Sequence, residues 1–145
     1  HKVVPEIEEK ITVPILHIAD TTAQKLLEKG VKKVGLLGTA FTMEQDFYKG
    51  RLTNKFGIDV VIPDESDRKQ VHDIIYQELC RGEVREESRA IYRQIIEKLS
   101  QQGAEAVILG CTEIALLIQQ HHTDVPLFDT TAIHAEAAVR LATSD

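Results

Sequence analysis

Cysteine is scarce in this chain: there are two, Cys80 and Cys111, far apart and outside any C-x-x-C pair. That argues against a disulfide framework and for free thiols in a cytoplasmic protein. Basic clusters are missing too. With 17 Lys and Arg against 23 Asp and Glu the formal net charge is −6, which argues against a nucleic-acid partner. Apolar runs are far too short to cross a bilayer, so no membrane partner is expected, and the charged, helix-like first ten residues do not read as a secretory signal. The histidines at positions 1, 17, 72, 121, 122 and 134 are scattered without metal-ligand spacing, so no metal is expected. Neither a G-x-x-x-x-G-K-[ST] loop nor a G-x-G-x-x-G fingerprint occurs, and no low-complexity linker or tandem repeat interrupts the chain.

What is present is ordinary for a globular protein: 145 residues, 43% hydrophobic and 28% charged, enough for one core or one domain plus part of another. The chain opens without Met and without a strand before its first helix, which fits a piece of something longer. Residues 1–10 read as the tail of a helix, followed by an extended Ile15-Leu16-His17-Ile18. Asp20 is the expected N-cap of a helix over 21–29, with Gly30 as its stop. Val31 to Leu37 reads as a strand, residues 43–55 as one helix despite Gly50, and residues 57–62 as a strand ended by Pro63. Val71, Ile74, Ile75 and Leu79 recur at helical spacing up to Gly82, and Ile91, Ile95, Ile96 and Leu99 mark a longer helix closed by Gly103. Ala106 to Leu109 is a short unbroken apolar run, then residues 114–118 a helix, 125–128 a strand and 130–142 a last helix. This alternation implies an α/β fold, a parallel sheet with helices on both faces.

One stretch joins fold grammar to reactive chemistry. Cys111 falls between the end of a strand and the start of a helix, where open α/β sheets bind ligands. Backbone N–H groups at a helix start favour negative charge, so a thiolate and a lowered thiol pKa are expected there. The alternative is a cysteine that merely fills space at a strand end. Val34-Gly-Leu-Leu-Gly-Thr39 and Val107-Ile-Leu-Gly-Cys-Thr112 echo one another, and two such turns on one sheet edge would converge on a small carboxylate. Thr42 and Thr112 could equally be plain N-caps, and Tyr48 and Arg51 could reach a ligand or face solvent. A cysteine hydrolase would need a general base beside the sulfur, and nothing local assigns His134 or Glu113 to that role.

Gly110-Cys-Thr-Glu113 after its strand, with Leu37-Gly-Thr39 followed by Thr42, resembles the aspartate/glutamate racemase family, which works without pyridoxal phosphate. Thr42-Met-Glu-Gln-Asp-Phe-Tyr-Lys-Gly-Arg-Leu52 and Phe128-Asp-Thr-Thr-Ala-Ile-His-Ala-Glu136 are similar to its broad-specificity bacterial branch, and the similarity runs from His1 to about Leu141. The resemblance implies a flavodoxin-like half of a two-domain, pseudo-symmetric racemase that needs no cofactor, takes an amino-acid substrate and forms a homodimer. It implies that Cys111 is one catalytic acid/base, that Thr112, Thr39 and Thr42 bind the substrate, and that Glu113 orients or polarises the site.

The family's first-domain motif reads C-N-T-x-H, and His1-Lys2 looks like its end, which places the partner acid/base upstream. Residues 1–13 would then be the last helix of a missing first domain, 14–124 the second domain, and 125–145 a strand and helix returning to the first. An exposed apolar face is expected if that first domain is absent. Cys80 stands where aspartate-specific members tend to carry Lys, with Arg81 adjacent, so aspartate, glutamate or a neutral amino acid all remain open as substrate. A non-catalytic carboxylate-binding or dimerisation module is the main rival reading.

Overall fold

The computed structural model describes residues 1–144. Four short parallel strands, β1 (Lys33–Leu37), β2 (Asp59–Val61), β3 (Ala106–Leu109) and β4 (Leu127–Asp129), form one sheet in the order β2-β1-β3-β4. The helices are α1 (Val4–Glu8), α2 (Ile18–Glu28), α3 (Ala40–Glu44), α4 (Asp46–Phe56), α5 (Glu65–Gln77), α6 (Glu86–Gln101), α7 (Ile114–Leu117) and α8 (Thr130–Thr143). The expected α/β class and the helices on both faces are what the chain adopts.

Side-chain alternation along the strands splits the core into two layers. Leu37, Val107 and Leu109 point to the face covered by α5, α6 and α7, where Val71, Ile75, Ile95 and Ile114 are buried. Val34, Leu36, Ala106 and Ile108 point to the other face, against Ala23 and Leu26 of α2 and Tyr48 and Leu52 of α4. Every residue of β3 is buried, which is why it reads as a continuous apolar run rather than an alternating one. Val13, Val139 and Leu141 are more than half exposed on the α1 and α8 side.

Several local expectations need correction. The helix expected over 43–55 is two helices, broken at Gln45, whose backbone is extended. The reason is tertiary: Met43 packs into the layer under α5 and α6, whereas Tyr48 and Leu52 pack into the opposite one, and a single straight helix cannot do both. Gly50, which looked like the weak point, lies inside α4. At the start of α2 the cap is His17, not Asp20; its Nδ1 accepts the Ala19 N–H at 3.0 Å. Ile18 therefore belongs to the helix and the extended segment stops one residue earlier. Asp20 sits in the first turn and instead binds Arg51, at 2.5 and 3.0 Å, and Lys55 at 2.5 Å. Gly30 ends α2 with positive φ, as expected, whereas α5 already stops at Gln77 and Gly82, also at positive φ, closes a separate 3-10 turn over Leu79–Arg81.

Candidate active site

The strand order turns back between β1 and β3, since β2 lies outside β1 and β4 outside β3. That makes the gap beyond their carboxyl ends the topological switch point of the sheet, the usual ligand position in this architecture. Leu37 is in register with Leu109, so the turn bearing Gly38 and Thr39 lies beside the turn bearing Gly110 and Cys111. The Gly110 N–H donates to the Leu37 carbonyl at 2.7 Å, tying the turns together.

The approach leaves little room for a side chain at either glycine, and least at Gly110. A Cβ on Gly110 would lie 2.9 Å from the Leu37 carbonyl oxygen and 3.4 Å from Cγ2 of Thr42; one on Gly38 would lie 3.1 Å from Cβ of Thr42. Thr42 is thus folded over both turns. Its N–H donates to Oγ1 of Thr39 at 3.4 Å, and the two hydroxyls are 3.3 Å apart. Thr39 is the N-cap of α3, so of the two alternatives for Thr42 the plain N-cap does not hold. On the other turn Thr112 caps nothing: α7 is a single turn starting at Ile114, and its N-cap position is Glu113 with no side-chain cap.

Cys111 is half-buried against the core layer that holds Ile114 and Leu117. Its thiol donates to Oε2 of Glu113 at 2.9 Å, and the Thr112 hydroxyl donates to the same oxygen at 2.7 Å. Burial first, and then the Glu113 carboxylate, push the thiol pKa up to about 12. The lowered pKa expected from a helix start is therefore wrong in direction. The helix begins three residues beyond the sulfur and is too short to carry much dipole, while a carboxylate stands between them. Glu113, accepting two hydrogen bonds, is held below the usual carboxylate range.

Other candidates fall elsewhere. Arg51 is engaged by Asp20, and Tyr48 is buried with its hydroxyl donating to Oγ1 of Thr22 at 3.2 Å. The ring of His134 pairs through Nε2 with the Leu16 carbonyl at 2.9 Å, away from the sulfur. Two contributors were not legible in the sequence. Thr130, buried at the start of α8, donates to the Leu109 carbonyl at 3.1 Å and pins the end of β3. His72, on α5, accepts the Ala40 N–H at 3.1 Å through Nδ1. Both act on backbone distant in sequence, so no local pattern marks them.

Residues 1–138 match the Asp/Glu/hydantoin racemase family, and the chain belongs to it. A provisionally assigned Asp/Glu racemase from Yersinia pestis superposes with a TM-score of 0.96 at 53% identity over 99% of this chain and 63% of its own. An aspartate racemase homologue from Pyrococcus horikoshii OT3 gives a TM-score of 0.91 at 37% identity, with the same coverage. The broad-specificity amino-acid racemase RacX of Bacillus subtilis is 24% identical over 96% of this chain and 59% of its own length. The chain thus spans about three-fifths of the length of these relatives.

Proposed function

We propose that this chain carries one half of the catalytic site of an amino-acid racemase that works by transferring the substrate's α-proton without pyridoxal phosphate. The observation that carries the reading is the half-buried Cys111 thiol, held by Glu113 at the switch point beside the Thr39 turn. Family membership and the racemases among its relatives support the reaction class. The partner acid/base is proposed to lie in the part of the full-length protein outside these residues, and the assembly to be a homodimer in the cytoplasm.

With its pKa raised, Cys111 rests as a thiol, the form that donates. In one direction the partner base removes the α-hydrogen as a proton from one face of the substrate, and the S–H bond of Cys111 breaks to deliver a proton to the opposite face of the same carbon. Cys111 is left as a thiolate. In the other direction that thiolate takes the α-proton and the partner acid returns one. A thiolate beside a carboxylate is scarce but strongly basic, which suits so weak an acid as an amino-acid α-carbon. The substrate ammonium group would offset the Glu113 charge as it enters. The hydroxyls of Thr39, Thr42 and Thr112 are proposed to hydrogen-bond the substrate carboxylate, stabilising the negative charge that develops when the proton leaves.

Incubating the full-length protein with aspartate, glutamate and several neutral amino acids in deuterated water tests this. Deuterium at the α-carbon with formation of the other enantiomer is expected for at least one of them. Binding without any exchange would instead favour a carboxylate-binding module.

A further inference from the structure

We propose that His72 is a positioning residue: by accepting the Ala40 N–H it holds Thr39 and Thr42 against the Cys111 turn. Its consequence for catalysis rests on the racemase reading above.

Helix α3 has only five residues, too few to hold its own conformation, so its pose must come from what packs on it. Besides Phe41, whose ring packs on Phe47 at 5.4 Å, three contacts bear on it. Met43 is fully buried beneath it, Arg68 Nε donates to Glu44 Oε1 at its far end at 3.2 Å, and His72 Nδ1 takes the N–H of its first residue at 3.1 Å. The Glu44 side chain is about half exposed, so that ion pair contributes little. His72 acts directly beside Thr39. It comes from α5, whose Val71, Ile74 and Ile75 are buried in the core, so it refers the turn to the body of the domain.

The bond fixes the state of the ring. A nitrogen that accepts an amide proton carries none of its own, so in this bond the ring hydrogen is the one on Nε2. The Tyr76 ring lies 4.7 Å from it, centroid to centroid. Since Ala40 lies between Thr39 and Thr42, whose hydroxyls are 3.3 Å apart, its amide cannot shift without disturbing both, and it is Thr42 that packs its Cβ and Cγ2 over Gly38 and its Cγ2 over Gly110. A shift of about 1 Å at a site of this kind can cost a hundredfold in rate.

The test uses the full-length protein with His72→Leu, His72→Asn, Thr39→Val and the His72→Leu/Thr39→Val double variant, since the Asn side-chain oxygen can still accept the Ala40 amide. In the α-hydrogen exchange assay, His72→Leu is expected to raise KM by roughly tenfold with a smaller change in kcat, and His72→Asn to stay within about threefold of wild type. The double variant should lose less than the product of the two single losses. Amide hydrogen exchange at Ala40 and Thr42 should speed up in His72→Leu and remain slow in His72→Asn. Unchanged kinetics in His72→Leu, equal damage in His72→Asn, losses that multiply, or undisturbed amide protection in His72→Leu would each overturn the proposal. A wild type with no α-hydrogen exchange but a protected Ala40 amide overturns the racemase reading instead, and leaves the His72 contact standing.

Discussion

Cys111 and Glu113 are two residues apart and joined by one hydrogen bond: the thiol donates to Oε2 of the carboxylate, with Sγ 2.9 Å from that oxygen. Burial first, and then this carboxylate, make the thiol harder to ionise than an ordinary cysteine, raising its pKa from about 9 to about 12. In a Cys80→Ser background, which removes the exposed second thiol, alkylation of Cys111 by iodoacetamide should be slow at pH 8 to 9 and still rising near pH 11. Glu113→Gln should bring the rise to lower pH, leaving the part due to burial. Reactivity that already levels off by pH 9 in the parent would contradict the assignment.

The close approach of the two turns predicts unequal effects of adding one methyl group. At Gly110 the new Cβ would meet the Leu37 carbonyl oxygen at 2.9 Å, and that backbone cannot swing away. Gly110→Ala should cost roughly 1–3 kcal/mol, as overpacking does, read as a fall in the denaturation midpoint. Gly38→Ala meets Thr42 at 3.1 Å and Gly110 at 3.4 Å. Its loss of stability should be smaller and its effect on substrate KM larger, because it is Thr42 that must move.

Away from the site, Asp20 joins α2 to α4 through Arg51 and Lys55. Although burial alone would raise its pKa, hydrogen bonds from Arg51 and Lys55 hold it down to about 2. A carboxylate whose folded pKa is depressed adds stability above its unfolded pKa of 3.8, and that stability is lost as pH falls from about 4 towards 2. Asp20→Asn should therefore lower stability at neutral pH by on the order of 1 kcal/mol, given the partial exposure of the pair. It should also flatten the acid limb of a stability profile between pH 4 and 2. Parallel profiles for wild type and variant would show the ion pair to be inert.

Most of the architecture was legible because its causes are local. The unbroken apolar run of β3, the periodic Val71, Ile74 and Ile75 of α5 and the stop at Gly30 each follow from neighbouring residues. Where the reading failed, the cause was a partner elsewhere. Gln45 interrupts a helix because Met43 and Tyr48 belong to opposite faces of the sheet. Asp20 gives up its cap to His17 because Arg51 and Lys55 draw it aside. The turn echo between residues 34–39 and 107–112 correctly brought Thr39 and Cys111 to one sheet edge. Its electrostatics did not follow from the pattern, since the sign of the thiol shift depends on burial and on where the Glu113 side chain folds.

The most direct test compares wild-type full-length protein with Cys111→Ser, supplying each enantiomer of an accepted amino acid separately in deuterated water and following α-hydrogen exchange. Wild type should exchange both enantiomers, and the serine variant should lose at least a hundredfold with one or both, because a serine hydroxyl is a far weaker acid than a thiol. Exchange that continues at the wild-type rate from both enantiomers would remove Cys111 from proton transfer.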